Sequence, residues 1–284
     1  LSIGVFCLGC DQSDALHGFA PAVIARADQA DRCARPELVK VRYTRMSGSI
    51  YSYLRASRSV LVARRQLAAV EQPLPNLGRG LGPGDPHLEN YGVMRSDDGL
   101  VLTVNDWDSA GEHNFAWGLE RLAVSMALTT KLYGYGELEQ RTVLAQTLSG
   151  YRSGRCGTAN MPSSVAVDDL IRLAAEEDGG IDKYTSMGKL RDGLTSSGRQ
   201  AVVAVPSAFE AELIEQISDH VEGRVIDVGV LLGRGISGLT RWRILALISE
   251  GLNTRLIEFK ELIPPGDLEV KNPLILTGDI YSQP

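Results

Sequence analysis

Two short segments hold the side chains best suited to chemistry. The first reads Gly84-Asp85-Pro86-His87-Leu88-Glu89-Asn90-Tyr91-Gly92, and the second Val104-Asn105-Asp106-Trp107-Asp108. Asp85 and Asn90 stand five positions apart. At that spacing in a phosphoryl-transfer loop, an aspartate takes the proton of an acceptor hydroxyl and an asparagine holds a magnesium ion. Between the two segments lie Tyr91-Gly92-Val93-Met94, the polar turn Ser96-Asp97-Asp98-Gly99 and an apolar run from Leu100 to Val104. This pattern predicts a strand, a tight turn and a second strand, a hairpin that delivers Asp106 beside Asn90. One amide and one carboxylate suit magnesium, which takes few protein ligands and leaves room for phosphates. Singly, Asp85, Asn90 and Asp106 also read as ordinary turn residues; the joint pattern is what favours chemistry.

A second group lies far along the chain. Gly233-Arg234-Gly235-Ile236-Ser237-Gly238 separates a β-rich run, Val225 to Leu232, from another, Leu239 to Ile248. A dinucleotide-binding fold would place such glycines between a strand and a helix. Here a strand follows, so the glycines sit in the turn of a β-hairpin. In that setting backbone N–H groups of Gly233, Arg234, Gly235, Ser237 and Gly238 approach phosphates without an intervening side chain. The next alternating run, Thr254 to Phe259, ends at Lys260. A lysine on the third strand after a glycine hairpin is placed to pair with phosphates; alone, it also reads as a solvated strand end. Glu261 is adjacent and points to the opposite face, so no glutamate partner is assigned to Lys260.

The elements that must position these groups follow from periodicity. Ile50, Tyr53, Leu54, Leu61, Arg64 and Leu67 predict one helix over about residues 47–70, with Arg55 exposed. Residues 71–84 are so rich in Gly and Pro that neither helix nor strand is expected. A helix over 112–133 carries Phe115, Leu119, Leu122, Met126 and Leu132 on one stripe, with Arg121 largely off it and Trp117 in the core. Asp108 reads as the cap of that helix, and His87 as a structural hydrogen-bonder. Further helices are expected over 137–151 and 164–177, a loop over 152–162, and no assignable element over 181–204. Ser207 and Glu210 form a capping box that opens a helix burying Phe209, Leu213, Ile214 and Ile217. Gly223 ends it, and three strands in an antiparallel meander follow.

The chain has 284 residues and a formal net charge of −6, which argues against nucleic acid as a main partner. No apolar run approaches the ~20 residues that cross a bilayer, so no membrane partner is expected. Cys7-x-x-Cys10 is half of a zinc pattern without its second pair. The four cysteines read more simply as reduced thiols of a cytoplasmic protein. The missing initiator Met points to a processed or trimmed chain.

The two acidic segments resemble the paired motifs of aminoglycoside-phosphotransferase-like kinases, His-Gly-Asp-x-His-x-x-Asn and Ile-Asp-Trp-Asp. Pro83 stands where their leading His would be. A closer resemblance, from about Pro36 to Pro264, is to the bacterial domain of unknown function numbered 2252. It is carried by Met46 to Arg55, Gly84 to Gly92, Asp106-Trp107-Asp108 with Trp117 and Arg121-Leu122-Ala123, Asp227 to Gly238, and Phe259-Lys260-Glu261. These resemblances imply an α+β, protein-kinase-like two-lobed fold. The glycine turn and Lys260 follow the catalytic loop instead of preceding it, so the fold would be circularly permuted. A lead segment spans 1–36, a mostly helical catalytic lobe 37–222 and a β-rich nucleotide-binding lobe 223–284. The implied activity is transfer of the ATP γ-phosphoryl group to a hydroxyl of an unidentified acceptor. Asp85 would be the base, Asn90 and Asp106 the magnesium ligands, and Gly233 to Gly238 with Lys260 the ATP site. Two alternatives stay open: a nucleotide-binding pseudokinase, and a metal-dependent hydrolase using Asp85, His87, Asp106 and Asp108.

Overall fold

The structure, a computed structural model, describes residues 12–68, 73–96, 99–157, 164–176, 181–194, 200–261 and 279–281. The Cys7-x-x-Cys10 pattern lies outside them. Five helices come first: α1 Gln12–Ala27, α2 Gln29–Ala34, α3 Pro36–Met46, α4 Ile50–Ala56 and α5 Arg58–Ala68. Pro36 opens α3, where its missing N–H costs nothing, and Ser49 caps α4 by accepting the Ser52 N–H at 2.9 Å. The single helix expected over 47–70 is therefore two, broken at Ser57. A buried arginine explains the break. Arg42, paired with Asp28, donates to the Ala56 carbonyl at 2.9 Å, and the Val60 N–H bonds to Ser57 instead.

Two ribbons follow. Strand β1 (Arg79–Gly82) precedes the hairpin of β2 (Tyr91–Ser96) and β3 (Gly99–Val104), and β4 (Gly111–Asn114) returns to pair with β1. A strand within 71–84 was not expected. Its partner lies far along the chain, and Gly80 is where the Phe115 ring packs: a Cβ there would come within 2.8 Å of Phe115 Cζ. The β2–β3 hairpin pairs as expected, from Tyr91↔Val104 to Ser96↔Gly99. Helices α6 (Phe115–Leu132), α7 (Glu137–Arg155) and α8 (Val165–Glu176) come next. Asn114, not Asp108, caps α6, accepting the Ala116 N–H at 2.9 Å. Within α6, Leu132 is exposed and Trp117 only half-buried, whereas Arg121 is buried.

The second half is a sheet. After the two-stranded pair β5 (Thr185–Ser186) and β6 (Lys189–Leu190) come β7 (Gly193–Leu194), β8 (Ala201–Ala204), helix α9 (Ser207–Ser218), β9 (Arg224–Leu232), β10 (Arg243–Glu250), β11 (Asn253–Lys260) and β12 (Asp279–Tyr281). These form a six-stranded antiparallel sheet in the order β12-β11-β10-β9-β8-β7. The expected meander is its centre. Successive side chains of a strand alternate faces, and both faces here are apolar. Leu231, Leu245, Leu247 and Leu256 meet Val202, Ile181 and Tyr184 on one side; Val225, Val228, Ala246, Ile248 and Ile257 meet Ile217 of α9 on the other. The capping box is not made. Ser207 is the first helical residue and Pro206 holds the cap position, so no side chain closes that end. Phe209 is exposed and not part of the buried face. Strand β10 begins at Arg243, later than the expected Leu239, so the glycines belong to a longer connection, residues 233–242. Among the described residues no helix is long and apolar enough to cross a membrane.

Candidate functional site: two acidic loops facing a buried lysine

Gly84 has φ +79°, and a Cβ there would overlap the Ser109 carbonyl oxygen. Only glycine lets the Asp85 loop lie directly on the loop that follows β3. Arg58 Nε secures the contact, donating to the Gly84 carbonyl at 2.7 Å. The loop then ties itself down. The Asp85 carbonyl accepts from the His87 N–H and from Asn90 Nδ2, each at 2.8 Å. With its N–H so used, the Asn90 amide presents oxygen as its remaining ligand atom. The Asn105 N–H bonds to the Asn90 carbonyl at 3.0 Å, extending the hairpin register by one pair. Asp106 follows directly, as the spacing predicts, and its Oδ1 accepts the Asp108 N–H at 3.3 Å.

Asp85 is buried, and its Oδ1 accepts from Arg121 Nε at 2.7 Å. Arg121 is itself only 2 % exposed. This guanidinium, read from sequence as lying off the buried stripe, is what orients the candidate base. His87 is buried beside it, with Nε2 3.9 Å from Asp85 Oδ2, beyond hydrogen-bond reach, and with Nδ1 lacking a partner among the described residues. The imidazole therefore packs, edge-on to Tyr51, and the hydrogen bonds expected of His87 come from its backbone. Burial holds its pKa below the ordinary value, against the opposing pull of Asp85. Arg55 is part-buried and pairs with Glu89 on the same loop.

Lys260 ends β11 with its side chain mostly buried, its Nζ on the Asp108 carboxylate and 3.9 Å from Asp106 Oδ1. Asp108 is thus a lysine partner and not a helix cap. Burial lowers the Lys260 pKa, while Asp106 and Asp85 act to raise it. The structure brings a cation from the sheet onto acids carried by a hairpin early in the chain.

The glycine connection reaches the same place from above. Gly233 and Gly235 have positive φ, and Arg45 Nη1 of α3 donates to both their carbonyls at 2.8 Å. Ile236 packs against the Ile24, Met46 and Ala56 cluster of the first helices. At the far end, the Gly238 backbone lies over Lys260 and Arg243. Arg234 turns its side chain down to Glu258 at 2.7 Å, and Glu258 also holds Arg243. Asp31 accepts from Thr240 Oγ1 at 2.7 Å and Arg241 Nη1 at 2.9 Å. Arg35 binds Glu261 and the Thr240 carbonyl and stacks on Trp242. Residues 233–242 are thus held by the first helices, not free as a flap. Sequence reasoning gave Arg45, Arg58 and Arg243 no part; arginines at otherwise half-apolar positions were the available signal.

A cavity of about 170 Å³ lies beside the Asp85 loop, lined among others by Pro83, Pro86, Phe115, Trp117, Leu122 and Tyr151. Among the described residues no group of three or more His, Cys, Asp or Glu side chains is placed to hold a metal ion.

The family model described as "Uncharacterized protein conserved in bacteria (DUF2252)" matches residues 32–201. That span holds both acidic loops and Arg121; the glycine connection and Lys260 lie beyond it. No curated protein and no solved structure matches the chain. With more than half of its length matched, the chain belongs to the bacterial DUF2252 family.

Proposed function

We propose that the chain is an ATP-dependent phosphotransferase with a kinase-like, circularly permuted two-lobed fold. ATP would lie between the sheet and the acidic loops, and an acceptor hydroxyl would approach Asp85. The observation that carries this reading is the meeting of Lys260 with Asp106 and Asp108, groups about 150 residues apart in sequence. A lysine of this kind pairs with nucleotide phosphates, and a carboxylate beside it would hold the accompanying metal. The donor set fits magnesium. Asn90 offers an oriented amide oxygen, and Asp106 keeps a carboxylate that is 39 % exposed. Magnesium, when bound, neutralises charge on the transferring phosphoryl group.

This chain's own residues have separable tasks. Arg121 holds Asp85 Oδ1, leaving Oδ2 for the acceptor hydroxyl. As the acceptor oxygen bonds to the γ-phosphorus, its proton passes to Asp85 and the bond to the departing ADP oxygen breaks. Lys260 exchanges Asp108 for phosphate oxygens when ATP enters. Positioning and charge supply most of the acceleration, since the transition state is loose. The hydrolase alternative asks for a cluster of metal-ligating side chains, and the described residues offer it no support.

The test is release of the ATP γ-phosphate, to water or to a hydroxyl acceptor, by the full chain with magnesium. Asp106→Asn and Lys260→Met should each lower the rate by about 100-fold or more. Wild-type protein that neither binds nor turns over ATP, or variants as fast as wild type, would refute the assignment.

A further inference from the structure

Lys260 does not stand alone on its face of the sheet. In the β10–β11 pairing its direct cross-strand partner is Arg243. Like charges set opposite each other on neighbouring strands repel, with their Cβ atoms about 5 Å apart. The fold compensates each from a different side. Asp106 and Asp108 face Lys260 from the acidic loop, and Glu258, two residues before Lys260 on the same face, holds Arg243. Glu258 is almost wholly buried and also binds Arg234 from the glycine connection.

Arg243 is 9 % exposed, and its Nε is buried with no hydrogen-bond partner among the described residues. Leaving such a donor unmade is costly. Directly above, the Gly238 backbone packs closely on both side chains. A Cβ there would come within 3.0 Å of Arg243 Nη2, 3.4 Å of Lys260 Cε and 3.6 Å of Lys260 Nζ. Two cations and an unused donor thus converge under one residue that has no side chain.

We propose that Arg243 is a second phosphate-binding residue, which with its cross-strand partner Lys260 grips a polyphosphate chain at this end of the sheet. This rests on the phosphotransferase reading and adds a residue to it. Lys260 would act as a point charge and Arg243 as a planar fork on neighbouring phosphates of one chain. Glu258 is the positioning residue, fixing the guanidinium of Arg243 from below.

The experiment is titration calorimetry of the full chain with ATP, adenosine and inorganic tripolyphosphate, for wild type, Arg243→Met and Arg243→Lys. Arg243→Met should weaken ATP and tripolyphosphate roughly tenfold and leave adenosine unchanged, with partial recovery in Arg243→Lys. Should Arg243→Met not fold, Arg243→Gln carries the test, because its amide can still donate to Glu258 without the charge. ATP affinity within roughly twofold of wild type, or adenosine affinity falling as far as that of ATP, would overturn the proposal. Arg243-dependent binding of tripolyphosphate without any adenosine binding would uphold the anion site and overturn the nucleotide reading. Wild type that binds none of the three overturns both.

Discussion

The ribbon that carries the acids and the sheet that carries the lysine are held in place by different forces. In β3 every residue is half-buried, and none reaches the interior. In the sheet, Leu245, Ala246, Ile248 and Leu256 are 0 % exposed. The acidic loops owe their geometry to individual polar ties: Arg58 to Gly84, Asn90 to Asp85, Arg121 to Asp85 and Asn105 to Asn90. The lysine strand owes its geometry to packed apolar side chains on both faces. One half of the site is fixed by a few directional bonds and the other by many small contacts. Losing one bond can misplace a carboxylate, whereas losing one methyl group lowers stability and leaves Lys260 where it was.

Three substitutions test this contrast. The largest effect is expected for Gly84→Ala. Its positive φ and the Ser109 carbonyl leave no room, so a loss of about 4 kcal/mol or more is expected, along with γ-phosphate release. Chemical denaturation and the phosphate assay check both; full activity in a folded variant would break the contrast. Next is Leu245→Ala, which empties a fully buried position and should cost about 3 kcal/mol. On the phosphotransferase reading, this variant should keep wild-type ATP affinity below its melting temperature; lost affinity in the folded protein would show that the sheet also depends on fine geometry.

The smallest effect is the pH response of His87. Its folded pKa lies below the ordinary 6.5 because of burial. The unfolded chain therefore takes up protons first as pH falls, and this contribution to stability is complete above pH 6.5 and shrinks below it. Melting temperatures between pH 7.5 and 5 should fall less steeply in His87→Asn than in wild type; parallel curves would remove His87 from the acid response.

What could be read from the chain in advance was local. The hairpin register from Tyr91 to Val104 and the meander from Val225 to Lys260 show in alternating apolar residues, and both formed. Contacts made across the fold left weaker traces. Ala56 gives its carbonyl to Arg42, so a helix that periodicity joins is broken. Asp108 looks like a cap because the lysine it meets is 152 residues away. Arg121 looks solvated because helical periodicity does not record a carboxylate from a preceding loop. Strand β1 hides among glycines and prolines because its partner is β4. The bond of Asn90 to the Asp85 carbonyl, five residues back on the same loop, was not named by the spacing either.

The distance in sequence between Asp108 and Lys260 has a consequence for biosynthesis. Chains emerge from the ribosome N-terminus first. The acidic loops are therefore made and free to fold long before their lysine exists, and until then Asp106 and Asp108 lack Lys260 as a counter-charge. Closing so long a loop makes this contact among the last to form, so a nascent chain has most of its helices before Lys260 meets the acidic loops.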